Sequence, residues 1–188
     1  SADPAGSDAL VGWAYGLRDK LGAEISLGCY SAVAVSGAGW GNVPSIDNNF
    51  RYLWNGQARP TSPAPDLIVL EGGTNDGTVA SSTFIANYTQ LITDILAFYP
   101  TSKLALMQPF RPIHAADIQA AMAAVGSGRV TYIPTTGMFN TAYSYDALHP
   151  YGFADQSYIL PALTPLLQQI LSTSPRHFGF CAAGAACQ

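Results

Sequence analysis

The sequence predicts an α/β fold, a three-layer α/β/α sandwich around a mainly parallel sheet. Segments with apolar residues at helical spacing alternate with short apolar runs, and the connections between them are short. The run Leu67-Ile68-Val69-Leu70 has no polar interruption, the pattern of a parallel strand covered on both faces. A length of 188 residues, 48% of them hydrophobic, suits one domain with a single core. That domain takes in the whole chain, with a core over residues 10–172 and an Ala/Gly-rich tail over 173–188.

Taken in order, Leu10, Trp13, Ala14, Leu17 and Leu21 mark a first helix, with Ser7 or Asp8 available as its cap and Gly22 as its end. Residues 25–35 read as a strand carrying Leu27, Tyr30, Val33 and Val35, followed by the glycine-rich loop 36–41. Ser45 can cap a short helix with Phe50, Leu53 and Trp54, and residues 58–65 form a surface connection. Residues 66–71 read as a fully buried strand, broken by Gly72 and Gly73. The clearest helix follows Ser81 or Ser82, with Phe84, Tyr88, Leu91, Ile92, Ile95 and Leu96 on one face. A strand over 104–108, a helix over 115–125 ended by Gly126 and Gly128, and a strand over 130–133 come next. Ile159, Leu163, Leu166, Leu167 and Ile170 mark a last helix, with a kink expected at Pro161 or Pro165.

Composition narrows the function. The net charge is −4 and charged residues make up 11%, with no basic tract, so nucleic acid is not an expected partner. No apolar run reaches the roughly 20 residues of a membrane-spanning helix. Lysine occurs only at Lys20 and Lys103 amid many Ala, Ser, Thr, Gly and Tyr residues, a balance that leans toward an exported protein. Cys181 and Cys187 can close a small loop, leaving Cys29 odd, or all three stay free thiols. No His/Cys/Asp cluster has metal-ligand spacing, and no phosphate-binding glycine loop precedes a helix, so no metal or cofactor is expected.

In a parallel sheet the ligand site lies beyond the carboxyl ends of the strands. The loop 36–41, the stretch Gly72-Gly73-Thr74-Asn75-Asp76 and the stretch Asp146-Ala147-Leu148-His149-Pro150 all follow predicted strands, so they are expected to converge there. Their residue types suit acyl transfer, which needs a nucleophile, a base, a group orienting the base, and donors for the oxyanion. An imidazole exchanges protons near neutrality, which makes His149 the candidate base and Asp146 the carboxylate that orients it. Asn75 offers a neutral side-chain donor, and a glycine in loop 36–41 can present its backbone N–H at close range. Asp76 suits a structural role, bonding loop backbone groups. Trp40 and Tyr145, with Tyr143 and Tyr151, are candidates to line an acyl or sugar pocket, ordinary packing being the alternative for each. His114 and His177 read as surface residues.

These stretches resemble the SGNH (GDSL-type) hydrolases, a family of serine esterases. Gly73-Thr74-Asn75-Asp76 is similar to the family's G-x-N-D block, and Asp146 to Pro150 is similar to its D-x-x-H block with the proline that often follows. Val35-Ser36-Gly37-Ala38 resembles the loose block that supplies an oxyanion glycine, pointing to Gly37 with Gly39 as the alternative. The resemblance covers about residues 10–172 and implies a flavodoxin-like SGNH fold. It also implies a Ser-His-Asp triad acting on small acyl, lipid or carbohydrate esters.

No Gly-Asp-Ser nucleophile block occurs in the chain. Three accounts are open. The first, central strand and its serine can lie upstream of Ser1, in which case these residues alone are expected to be unstable or to recruit a strand from another chain. The chain can be circularly permuted, with the stretch from Phe178 to Gly184 as that strand and Cys181 in place of serine. Or Ser7 is the nucleophile, although helix capping also accounts for it. Ser36 reads as a loop residue, since the sequence around it lacks G-x-S-x-G. A non-catalytic glycan- or partner-binding relative and an acyltransferase are the rival functions.

Overall fold

The computed structural model describes residues 9–29, 32–53 and 56–172. Its sheet consists of β1 (Leu67–Glu71), β2 (Lys103–Met107) and β3 (Val130–Ile133), all parallel in the order β1-β2-β3. Leu67 stands opposite Lys103 and Glu71 opposite Met107, while Leu104 pairs with Val130 and Met107 with Ile133.

Alternation along the strands divides the core in two. Ile68, Leu70, Leu104, Leu106, Val130 and Tyr132 turn to one face, where they pack on α3 (Ser81–Phe98) and α4 (Ala115–Val125). Leu67, Val69, Ala105, Met107 and Ile133 turn to the other, against α1 (Trp13–Leu21) and α6 (Leu160–Ser172). The predicted three-layer sandwich is therefore present. On α3 the six residues expected to form the inner face are all buried.

Local chemistry fixes the helix ends. Gly22 closes α1 in the left-handed region at φ 59°, its N–H donating to the Arg18 carbonyl, and Gly126 closes α4 in the same way at φ 62°. The expected caps Ser7 and Asp8 lie outside the described residues. The first helical amide, that of Trp13, is instead bonded by the Asp155 carboxyl from the far end of the chain. Ser45 makes no capping bond to the backbone, and α2 (Ile46–Asn49) is a single turn that stops short of Phe50 and Leu53. Trp54 lies outside the described residues. The last helix begins as α5 (Gly152–Ala154), widens into a π turn over Asp155–Ile159 and continues as α6. The Leu160 amide reaches back five residues to the Asp155 carbonyl, so the wide turn sits directly ahead of Pro161, with Pro165 inside α6.

Two strand expectations need correction. Residues 23–29 and 33–35 enter no ladder. Strand character belongs to a pair of chains, and the amides of this segment find other acceptors: Val35 and Ser36 donate to the Asp76 carboxylate at 3.0 and 2.7 Å. Second, β1 is not fully buried. Only Leu70 is buried in it, whereas Leu104, Ala105, Leu106 and Met107 of β2 are completely enclosed. β2 has a neighbour on both sides; among the described residues β1 has one on a single side.

This difference is measurable. Leu106→Ala should cost about 3–4 kcal/mol in urea unfolding, as for a fully enclosed leucine, and Leu67→Ala no more than about 2. Equal losses would contradict the burial order.

Candidate active site

The loop over 140–151 holds its own shape through short polar contacts. The Asn140 side chain accepts from the Ala142 amide, and the Ser144 hydroxyl accepts from the Ala147 amide at 3.0 Å. An isolated bridge joins Ser144 to Pro150, with the Tyr145 amide donating to the His149 carbonyl at 3.0 Å. Inside this hairpin Asp146 acts twice. One carboxylate oxygen accepts from the amides of Leu148 and His149 at 3.1 and 2.9 Å, and the other meets His149 Nδ1 at 2.8 Å. The backbone amide of His149 and then its ring hold the Asp146 carboxyl well below the usual range, at about 2. Both side chains are exposed, so the pair is open to a partner from solvent.

A second set of residues follows β1. Gly73 sits at φ 122°, a conformation closed to other residue types, and turns the chain into a short 3₁₀ helix over Thr74–Asp76. Asp76 is buried, with both carboxylate oxygens committed to Val35 and Ser36, which gives it the structural role read from the sequence. Next to it the Asn75 amide donates to the Val33 carbonyl at 2.8 Å. An amide has two N–H groups, so this bond fixes the side chain while one donor remains.

The two glycines that sequence alone leaves open differ in their surroundings. Gly39 donates to the Val43 carbonyl at 2.6 Å, and a Cβ there would fall 1.9 Å from the Ala32 carbonyl oxygen. Close backbone approach explains that glycine. Gly37 is exposed at φ 92° with open space around its α-carbon, next to the anchored Ser36. The Ser36 hydroxyl is buried without a hydrogen-bond partner.

Glu71, the last residue of β1, ties the two sets together. It lies within electrostatic reach of His149, whose charge favours the carboxylate, although burial dominates and pushes the Glu71 carboxyl up. Sequence reading passed over Glu71; the signal was a lone charge ending an apolar run. Tyr145 packs tilted against Tyr151, with ring centroids 4.2 Å apart and 59° between the planes, beside a cluster in which Tyr143 meets Phe153 and stacks on Tyr158. Trp40 projects from its loop at 88% exposure. Cys29 is a free, exposed thiol, while Ser7, His177, Cys181 and Cys187 lie outside the described residues.

His114 is not a surface residue. It is buried, stacked on Phe84 at 3.9 Å, and bonded to Asp117 three residues ahead. Among the described residues, no group of three His, Cys, Asp or Glu side chains is placed to hold a metal ion, and no helix is long and apolar enough to cross a membrane.

Removing the Asp76 carboxylate leaves two inward-facing amides without an acceptor. Asp76→Ala should cost about 2–4 kcal/mol and speed hydrogen exchange at Val35 and Ser36. Unchanged exchange at both amides would show that the loop is held by something else.

No protein-family model matches the chain, and no curated protein matches it. Solved structures do. The chain is similar to a family two carbohydrate esterase from Clostridium thermocellum, solved in complex with cellohexaose, at TM-score 0.75 and 17% identity, covering 90% of this chain and 57% of that one. A family two carbohydrate esterase from Cellvibrio japonicus matches at TM-score 0.75 and 20% identity, over 88% of this chain and 53% of that one. An acetyl xylan esterase from Butyrivibrio proteoclasticus matches at TM-score 0.75 and 14% identity, over 88% and 56%. The chain thus spans a little over half the length of these esterases and has the fold of SGNH-type hydrolases.

Proposed function

We propose that this chain carries the proton-transfer and oxyanion groups of a serine esterase that removes acyl groups from carbohydrate esters. The observation that carries the reading is the Asp146–His149 pair. With Nδ1 held at 2.8 Å on a carboxylate kept ionised, the Nε2 position is left for proton exchange. Asp146 fixes the tautomer and stabilises the imidazolium as it forms.

The reaction that fits is acyl transfer to a serine. His149 takes the proton of the attacking hydroxyl and returns it to the departing sugar alcohol; the same base then activates water against the acyl-enzyme. The remaining Asn75 N–H and the Gly37 N–H serve the oxyanion. No serine among the described residues is bonded to His149. We place the nucleophile on a strand paired with the edge of β1 that has no neighbour among the described residues; the carboxyl end of β1 delivers Glu71 within reach of His149. An acylated sugar as substrate, and export as the setting, are supported by the fold shared with carbohydrate esterases.

A second reading, glycan binding without turnover, draws on the exposed rings of Trp40, Phe153 and Tyr158, which suit stacking on sugar faces. An acetylated oligosaccharide separates the two, since only the esterase releases acetate. In the complete protein, His149→Ala should abolish nearly all hydrolysis of an acyl-phenol ester. Asn75→Ala should lower kcat by about a hundredfold with KM little changed, because the donor acts on developing charge. Retention of most activity by His149→Ala would overturn the assignment.

A further inference from the structure

We propose that His114 is a positioning residue, held doubly protonated, which clamps the turn carrying Asn75 and sets an alkaline limit on its order. The role of Asn75 rests on the function proposed above; the clamp itself does not.

His114 Nδ1 lies 2.7 Å from Asp117 Oδ2, and Nε2 lies 2.9 Å from the Asp76 carbonyl oxygen. A carbonyl can only accept, and so can an ionised carboxylate, so both ring nitrogens must carry hydrogen. A neutral imidazole has one N–H and leaves one of these acceptors unmatched. The ring is 4% exposed and lies flat against Phe84, with centroids 3.9 Å apart and 6° between the planes. Water therefore has little access to replace a lost bond.

The groups facing this imidazolium come from three elements. Asp117 is on α4, and Asp76 is in the turn after β1. From α3 comes Phe84, an uncharged ring stacked on the imidazole. Burial alone would discharge His114, but the bonds to Asp117 and to Asp76 outweigh it, and the net shift is upward. A raised histidine contributes order that is fully present below its ordinary value of about 6.5 and is lost as pH climbs through the higher folded value.

The consequence runs through Asp76. Its carbonyl is held by His114 while its carboxylate holds Val35 and Ser36. Asn75 precedes it and bonds to Val33 in the same loop. One ring at the start of α4 is thus linked through Asp76 to both oxyanion-donor candidates, to Asn75 as the neighbour of Asp76 in the chain and to Gly37 by way of Ser36.

Nitrogen-15 NMR of the full chain reads the ring state directly. Both His114 nitrogens should show imidazolium shifts at pH 7 and titrate above the ordinary histidine value. Asp117→Asn should lower that midpoint and raise exchange at Val35 and Ser36 at neutral pH. A neutral His114 ring at pH 7, or an unmoved midpoint in Asp117→Asn, would overturn the clamp whatever the activity. In the complete protein, Asp117→Asn should bring the alkaline fall of kcat to lower pH and reduce kcat about tenfold with KM nearly unchanged. If the ring and exchange results hold while kcat does not respond, the clamp stands and the role given to Asn75 fails.

Discussion

The Asp76 carboxylate is the contact on which the arrangement depends. It is buried at the carboxyl end of β1 and accepts two backbone amides from residues about forty positions earlier, Val35 and Ser36. Those amides belong to a segment that enters no ladder, so a side chain performs the joining that a strand pair usually performs. A buried carboxylate is tolerable because both oxygens are matched by donors, and charge-assisted bonds of this kind are stronger than neutral ones. Through it the loop bearing Gly37 and the turn bearing Asn75 become one body.

The Asp146–His149 pair is built on the opposite plan. Asp146 and His149 lie in a single exposed hairpin and are organised by contacts no more than a few residues long. Their geometry asks nothing of the rest of the fold except delivery to the end of β1. Delivery comes from the sheet: Glu71 ends β1 within electrostatic reach of His149 and directly precedes the glycine turn. A locally made Asp–His pair and a loop anchored across the chain are therefore both tied to the end of β1, the place that parallel sheets favour for ligand sites.

The difference in plan explains what was legible in the sequence. Asp146–His149 and the Gly73–Asp76 turn could be read because their contacts are set by spacing along the chain. The helical faces of α3 and α6 could be read because apolar periodicity survives any tertiary context. The strand over 25–35 could not, since a strand is a property of a pair and, among its described residues, Val33 and Val35 bond to the side chains of Asn75 and Asp76 instead. Full burial of 66–71 failed for a related reason: an apolar run shows which residues resist water, not how many neighbours the strand has. His114 was misread because one acceptor is the carbonyl of Asp76, 38 residues away, although Asp117 at three residues was a visible clue. Gly39 owes its identity to the Ala32 backbone, a contact no local pattern signals.

Acyl transfer by this protein needs a serine reaching His149, and we place it on a strand paired with the edge of β1 that has no neighbour among the described residues. Labelling the complete protein with a serine-directed phosphonate, and mapping the labelled peptide together with strand pairing to Leu67–Glu71, tests this most directly. One labelled serine is expected at the end of a strand paired with β1, with labelling lost in His149→Ala. Labelling at Ser36, or labelling undiminished in His149→Ala, would contradict it.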